Sequence, residues 1–413
     1  MPCIGHPADR KAVKAKTPEH VVVVGASAAG LSAAEALRRG GYENKLTLIG
    51  AEPHLPYDRP PLSKQFLSGE WDQDKVMLRP PAHLADLDVM TRLGTPAVGL
   101  NTADRKVALA TGDEVAYDHL VVATGVTPRM LPGTPKVRGV HTLRTLEDAQ
   151  TLQTELESGT RVIVIGAGFL GTEIAAVAAN AGVQVTLLSN ASAPLAGALG
   201  PELGAEVAAL HESHGVTIRT RQAAGCVITS DGSKVTGVAL KNGEKLQAAV
   251  VVVAIGSAPA VRWLDNSGLE IGDGIECAPD SLAAPGIHAA GDVARWRNRL
   301  FNLRMRVEHR TNAVDQGIHV AEQILAGTRA DYAPVPYFWS DQYDLKLQSY
   351  GWLRNHDEVL LTEGSIAEGK FVALFRRDNR VTGVVAARSV KALRRWRELI
   401  INKASWSDAL DAL

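Results

Sequence analysis

One local pattern occurs twice in this sequence, and few folds can host it. Val21 to Val24 run into Gly25-Ala26-Ser27-Ala28-Ala29-Gly30, and a helical, Ala-rich stretch follows to Arg39. Later, Val162 to Ile165 run into Gly166-Ala167-Gly168-Phe169-Leu170-Gly171 and a second Ala-rich stretch. A β-branched run, a glycine turn and a helix make up the strand–turn–helix unit of a doubly wound α/β sheet. The glycines permit a tight turn and a close backbone approach, and the helix start offers unpaired N–H groups to a pyrophosphate. The second fingerprint is complete. In the first, Ser27 replaces the middle glycine; it is small and can add a hydroxyl donor. Either turn alone could be a tight connection without a ligand, but two in one chain support each other.

The first unit continues into KLTLIG and Glu52, an acid placed to meet a ribose diol. The second continues into VQVTLLSNASAP, where Ser189 and Asn190 take that place. Two buried-strand patterns then end in glycine: HLVVATG, closing Ala123-Thr124-Gly125, and VVVVAIG, closing at Gly256. A third apolar strand ends in Gly291-Asp292, where the carboxylate suits a polyol hydroxyl or caps the following helix.

The bulk properties exclude several classes. A formal net charge of −1 supplies no field to attract nucleic acid or an anionic membrane. No apolar run approaches the roughly 20 residues that span a bilayer. Residues 1–19 lack the apolar core of a secretory signal and read as a polar tail, so a cytoplasmic location is expected. Cys3, Cys226 and Cys277 are far apart, which argues against a disulfide framework, a metal site or a dithiol relay.

The order of motifs resembles a known family: G-x-x-x-x-G, YDRPPLSK (Tyr57 to Lys64), ATG, G-x-G-x-x-G-x-E, AIG, AAGD and FWSDQ (Phe338 to Gln342). It is similar to the FAD-dependent NAD(P)H:ferredoxin reductases of oxygenase systems, which have the glutathione reductase fold. The resemblance implies an α/β fold, with two Rossmann-like dinucleotide-binding domains, for FAD and NAD, and a C-terminal α+β domain. The FAD domain would comprise 20–125 and 250–328, the NAD domain 126–249 and the C-terminal domain 329–413. By the same resemblance Gly25, Ser27, Ala28, Ala29 and Gly30 would hold the FAD pyrophosphate and Glu52 its ribose. Arg59 and Lys64 would face the FAD; Ala123, Thr124, Gly125, Arg129, Gly256 and Gly291 would pass close to the cofactors. Asp292 would bind the ribityl chain and Trp339 would lie beside the flavin ring. Gly166, Gly168, Phe169, Leu170, Gly171 and Ser189 would hold the nicotinamide dinucleotide, with Glu308 and His309 of VEHRTNA near its reactive end. Lys64 and Glu173 would pair as the catalytic organisers.

The reaction implied is transfer from NADH through FAD to an acidic two-iron two-sulfur ferredoxin that feeds a haem monooxygenase or ring-hydroxylating dioxygenase. Rubredoxin reductase and an apoptosis-inducing-factor-like NADH-binding flavoprotein are the alternatives, and the protein would be a monomer or homodimer. Ser189 departs from the acid usual in NADH-using members. No Arg or Lys lies between Thr186 and Pro201, so NADH is expected ahead of NADPH. Arg310 replaces a tryptophan common in the family. Two basic segments, Arg295 to Arg306 and Lys391 to Glu398, are candidates for a docking rim.

Overall fold

The computed structural model describes residues 17–229 and 232–413; residues 1–16, most of the expected tail, lie outside the described residues. Two sheets dominate. In the six-stranded one the order is Leu282–Ala284, Ile287–Ala289, His119–Val122, His20–Val24, Lys45–Ile49 and Met90–Arg92. All neighbours are parallel except the first pair. The second has five parallel strands: Thr217–Arg219, Gln184–Leu188, Arg161–Ile165, Val250–Val253 and Val140–His141. The central runs Val21–Val24 and Val162–Ile165 are buried, as strands covered on both faces must be.

The two glycine turns are built alike. Gly25 has φ +120°, and a Cβ there would lie 2.1 Å from the Ala123 carbonyl oxygen. Gly166 has φ +109°, and its Cβ would lie 2.2 Å from the Ala254 carbonyl oxygen. Ala123 and Ala254 are the alanines of ATG and AIG, so each of these strands closes the unit whose turn it touches.

This equivalence corrects the expected domain boundary at residue 250. Val250–Val253 pairs with Val162–Ile165 in the second sheet. An all-valine run buried on both faces is satisfied there, between two parallel neighbours. The chain instead crosses between units on a two-stranded antiparallel ribbon, Val126–Pro128 against Ser257–Pro259.

The helix Ala28–Arg39 buries its alanine face against Ala313, Val320, Ala321 and Ile324 of the helix Arg310–Ala326. The C-terminal part is a five-stranded antiparallel sheet in the order Tyr337–Gln342, Leu345–Gly351, Arg380–Ala387, Lys370–Arg377, Glu358–Ser365. Both of its faces are covered. Phe371, Ala373 and Phe375 pack on Leu195, Leu199, Leu203 and Val207 of the second unit. Val372 and Leu374 pack on Leu393, Trp396 and Ile400 of the helix Val390–Ile401. The expected hairpin around Arg377 to Arg380 and the helix after it are both present. No helix among the described residues is long and apolar enough to cross a membrane.

The turns predict a contrast between neighbouring glycines. A Cβ at Gly171 would lie 1.9 Å from the Gly166 carbonyl oxygen, whereas one at Gly168 would meet nothing within 4 Å. Gly171→Ala should cost roughly 1–3 kcal/mol in urea or thermal unfolding. Gly168→Ala should stay within about 1 kcal/mol of the parent. Equal effects would contradict this account of the turn.

Candidate active site

Two cavities meet inside the molecule, one of about 940 Å³ and one of about 290 Å³. They share a wall of Pro60, Leu170, Glu308 and Arg310. The smaller opens on the first glycine turn, where Ser27, Ala28 and Ala29 begin a helix without an acid in its first turn. Ser27 makes no side-chain cap bond, so its hydroxyl is available to a ligand. The larger opens on the second turn through Gly166, Gly168 and Phe169. The empty space beyond the Cβ position of Gly168 is the room a phosphate needs.

Lys64 and Glu173 are both buried and both line the smaller cavity. Pro60 starts a short 3₁₀ turn, Pro60–Ser63, that carries Lys64 inward. Lys64 Nζ donates to Glu173 Oε2 at 2.6 Å and to the Pro60 carbonyl at 3.1 Å. Ser63 Oγ donates to the same Oε2 at 2.6 Å, and Ser340 Oγ donates to Oε1 at 2.7 Å. Each carboxylate oxygen therefore has a partner, which offsets the cost of burying the charge. Glu173 lies beyond the first turn of the helix Phe169–Asn180, so the pairing, not the helix dipole, accounts for it.

A second charged group surrounds Arg59. It donates to Glu52 Oε1 at 2.6 Å, to the Tyr57 hydroxyl at 2.9 Å and to the Arg144 carbonyl at 2.6 Å. Tyr57 donates in turn to the other Glu52 oxygen. Arg144 Nη2 lies 3.5 Å from Asp292 Oδ2. Burial raises the Asp292 pKa above its ordinary value, against the opposing pull of Arg144. Burial also lowers the Arg144 pKa, and the like charge of Arg59 adds to this. Both groups face the smaller cavity with capacity to spare for a polar ligand.

The expected site residues separate into three sets. Arg59, Ala123, Gly125, Gly291 and Asp292 line the smaller cavity; Ser189, Gly256 and His309 line the larger. Gly25, Gly30 and Gly171 line neither and act through the packing of the turns. One expectation is corrected and three others are placed. Arg129 is exposed, lines neither cavity and donates to the Ser257 carbonyl on the crossover ribbon. Thr124 donates to the Ala260 carbonyl beside the same ribbon. Glu52 lines neither cavity, and its two oxygens accept from Arg59 and Tyr57. Trp339 lines the larger cavity together with its neighbour Phe338.

Near the shared wall, burial pushes the His309 imidazole down to about 3, so the ring is neutral at physiological pH. Arg310 Nε donates to Asp58 Oδ1 at 2.5 Å, which ties VEHRTNA to YDRPPLSK across the junction. Sequence reasoning missed Arg144, Ser63 and Ser340. Arg144 stands just before the Thr145–Asp148 capping box, whose T-x-x-D spacing marked the helix start but not the arginine's reach.

The basic segment Arg295 to Arg306 also differs from expectation. It is a hairpin whose arginines already have partners. Arg295 and Arg304 hold Glu276, Arg299 holds Asp331, Arg306 holds Asp273 and Glu308, and Arg297 donates to Asn302. By contrast Lys391, Arg394 and Arg395 are exposed on the helix Val390–Ile401, with the Arg395 guanidinium 5.4 Å from the centroid of the Trp396 ring.

The donor set fits an FAD in the smaller cavity. A helix start, a free serine hydroxyl, a buried unpartnered Arg59 Nε and a recessed carboxylate suit a phosphate-bearing, polyol-bearing ligand. No cluster of metal-ligating side chains occurs among the described residues.

Comparison with known proteins agrees. Residues 19–317 match the family model of pyridine nucleotide-disulphide oxidoreductases, and 337–412 match a reductase C-terminal domain. A ferredoxin–NAD(P)⁺ reductase of a Sphingomonas species is 36% identical over 388 residues, covering 93% of each chain. Putidaredoxin reductase of Pseudomonas putida is 35% identical over 372 residues, covering 89% of this chain and 88% of that one. The crystal structure of the covalent putidaredoxin reductase–putidaredoxin complex aligns with TM-score 0.89 at 33% identity, covering 93% of each chain. With its two dinucleotide units and C-terminal sheet, the chain belongs to the pyridine nucleotide-disulphide oxidoreductase family, among the FAD-dependent NAD(P)H:ferredoxin reductases.

Proposed function

We propose that the protein carries electrons from NADH, through FAD, to a two-iron two-sulfur ferredoxin that serves a haem monooxygenase or ring-hydroxylating dioxygenase. The observation that carries this reading is the pair of cavities meeting at one wall, with Lys64 and Glu173 buried beside it. FAD, when bound, supplies the conversion of a two-electron hydride into single electrons. The protein supplies position and charge. The Ser27 turn and Arg144 hold the phosphates, Asp292 orients the polyol chain, and Glu173 fixes Lys64 against the cofactor. The Gly166–Gly171 turn holds the coenzyme's pyrophosphate, and His309 and Trp339 close the larger cavity around it. The described cysteines, exposed Cys226 and buried Cys277, line neither cavity, so no dithiol among the described residues intercepts the electrons.

Lys64→Met tests the catalytic assignment. The rate of flavin bleaching by NADH in stopped flow should fall on the order of a hundredfold. The Kd for NADH should change far less. A double-mutant cycle with Glu173→Gln should show coupling of roughly 0.5–3 kcal/mol in stability, because either change alone leaves a buried charge exposed to an unmatched neighbour. Unchanged bleaching, or strictly additive stabilities, would remove the pair from the mechanism.

The exposed cations Lys391, Arg394 and Arg395 are the proposed landing site for an acidic ferredoxin. Charges separated by more than about 8 Å are screened at physiological salt, so ferredoxin turnover should drop as salt rises while turnover of a small neutral dye stays flat. Reversing Arg394 and Arg395 to Glu should raise the KM for ferredoxin without altering NADH reduction. A KM indifferent to both treatments would place docking elsewhere.

A further inference from the structure

The larger cavity has a second polar end, away from the shared wall. Ser189 and Asn190 follow the strand Gln184–Leu188, and Gln222 and Lys241 complete the lining there. Backbone bonds bring these segments together. Gln222 N donates to the Ser189 carbonyl at 2.9 Å, and Lys241 N donates to the Ala223 carbonyl at 3.0 Å. In a doubly wound unit the end of the second strand is where the adenosine ribose is read, and a nearby cation accommodates a 2′-phosphate.

The charge balance at this end is one-sided. Glu308 is the acid that lines the larger cavity, and it stands on the shared wall, engaged by Arg306 and Ser257. Ser189 is neutral, and its hydroxyl accepts from the Ala191 amide at 3.1 Å. The neighbouring Arg219 is spent on Gln222 and Glu244, at 3.0 and 2.7 Å. Lys241 is exposed, and no ion pair holds its ammonium among the described residues. An ammonium is a compact point charge suited to phosphate. The expectation of NADH over NADPH considered only residues between Thr186 and Pro201. The antiparallel strands after Arg219 return Lys241 to the same place from much later in the chain.

We propose that Lys241, with Gln222 beside it, forms a seat for the 2′-phosphate, so that the protein takes NADPH as well as NADH. The proposal rests on the larger cavity being the coenzyme site. It makes Lys241 a specificity-determining residue and gives the chain a dual coenzyme range.

The test compares Lys241→Ala and Lys241→Glu with Lys245→Ala, a lysine change on the adjoining strand that does not line the cavity. Removing Lys241 should raise the ratio of the KM for NADPH to that for NADH at least about tenfold, as expected for a lost charged hydrogen bond, and the reversal should raise it further. Lys245→Ala should leave the ratio unchanged. Calorimetry supplies a readout independent of turnover. The parent should bind adenosine 2′,5′-bisphosphate more tightly than AMP, and Lys241→Ala should erase that difference. If NADH is used but the ratio and the calorimetric difference ignore Lys241, the phosphate seat is wrong. If neither AMP nor NADH binds at all, the reading of the cavity itself fails, and the phosphate seat with it.

Discussion

A single buried carboxylate joins all three parts of this chain. Glu173 rises from the helix of the second nucleotide unit, accepts from Lys64 and Ser63 of the first, and accepts from Ser340 of the C-terminal sheet. A charge in that position is tolerable only if every partner is in place. The units therefore cannot shift far relative to one another without exposing an unpaired ion. The network continues outward: Gln342 donates to Ser340, His211 bonds Gln342, and Tyr343 bonds His211. Docking of the C-terminal sheet is thus connected, bond by bond, to the wall where the two cavities meet.

Around that wall the division of labour follows from the duplicated unit. Each glycine turn supplies a helix start without a competing acid, and each backbone closes on the alanine of its own ATG or AIG strand. The chain then needs only a short ribbon to pass between units, at Val126–Pro128 and Ser257–Pro259. The architecture leaves two cavities, each opening on one glycine turn, that meet at the junction between the units. Nothing in such a site requires an acid–base triad. Positioning and a fixed charge near the cofactor are sufficient for hydride transfer, with the electron conversion left to the flavin.

The strand–turn–helix repeats, the hairpin at Arg377 to Arg380 and the basic helix after it were legible because they depend on local pattern. The Lys64–Glu173 pairing was reachable only through the resemblance, since 3.6-residue periodicity does not say which buried acid meets which lysine. Two misreadings share one cause, which is that sequence neighbourhood was taken for spatial neighbourhood. Arg129 follows a cofactor-facing strand but is turned out by the crossover ribbon. The arginines of the 295–306 hairpin looked unpartnered because Glu276, Asp273 and Asp331 lie elsewhere in the sequence. The boundary at residue 250 could have been placed correctly from the sequence. HLVVATG and VVVVAIG are equivalent segments, and each had to close its own unit.

The account stands or falls on the exchange of one hydride for single electrons. Under anaerobic conditions the FAD-loaded protein would be mixed with a limiting amount of NADH and an excess of oxidised two-iron two-sulfur ferredoxin. Flavin and cluster absorbances would be followed together. The account predicts that two ferredoxins are reduced for each NADH consumed and that the flavin returns to its oxidised spectrum. A flavin that is bleached by NADH while the clusters stay oxidised would contradict it.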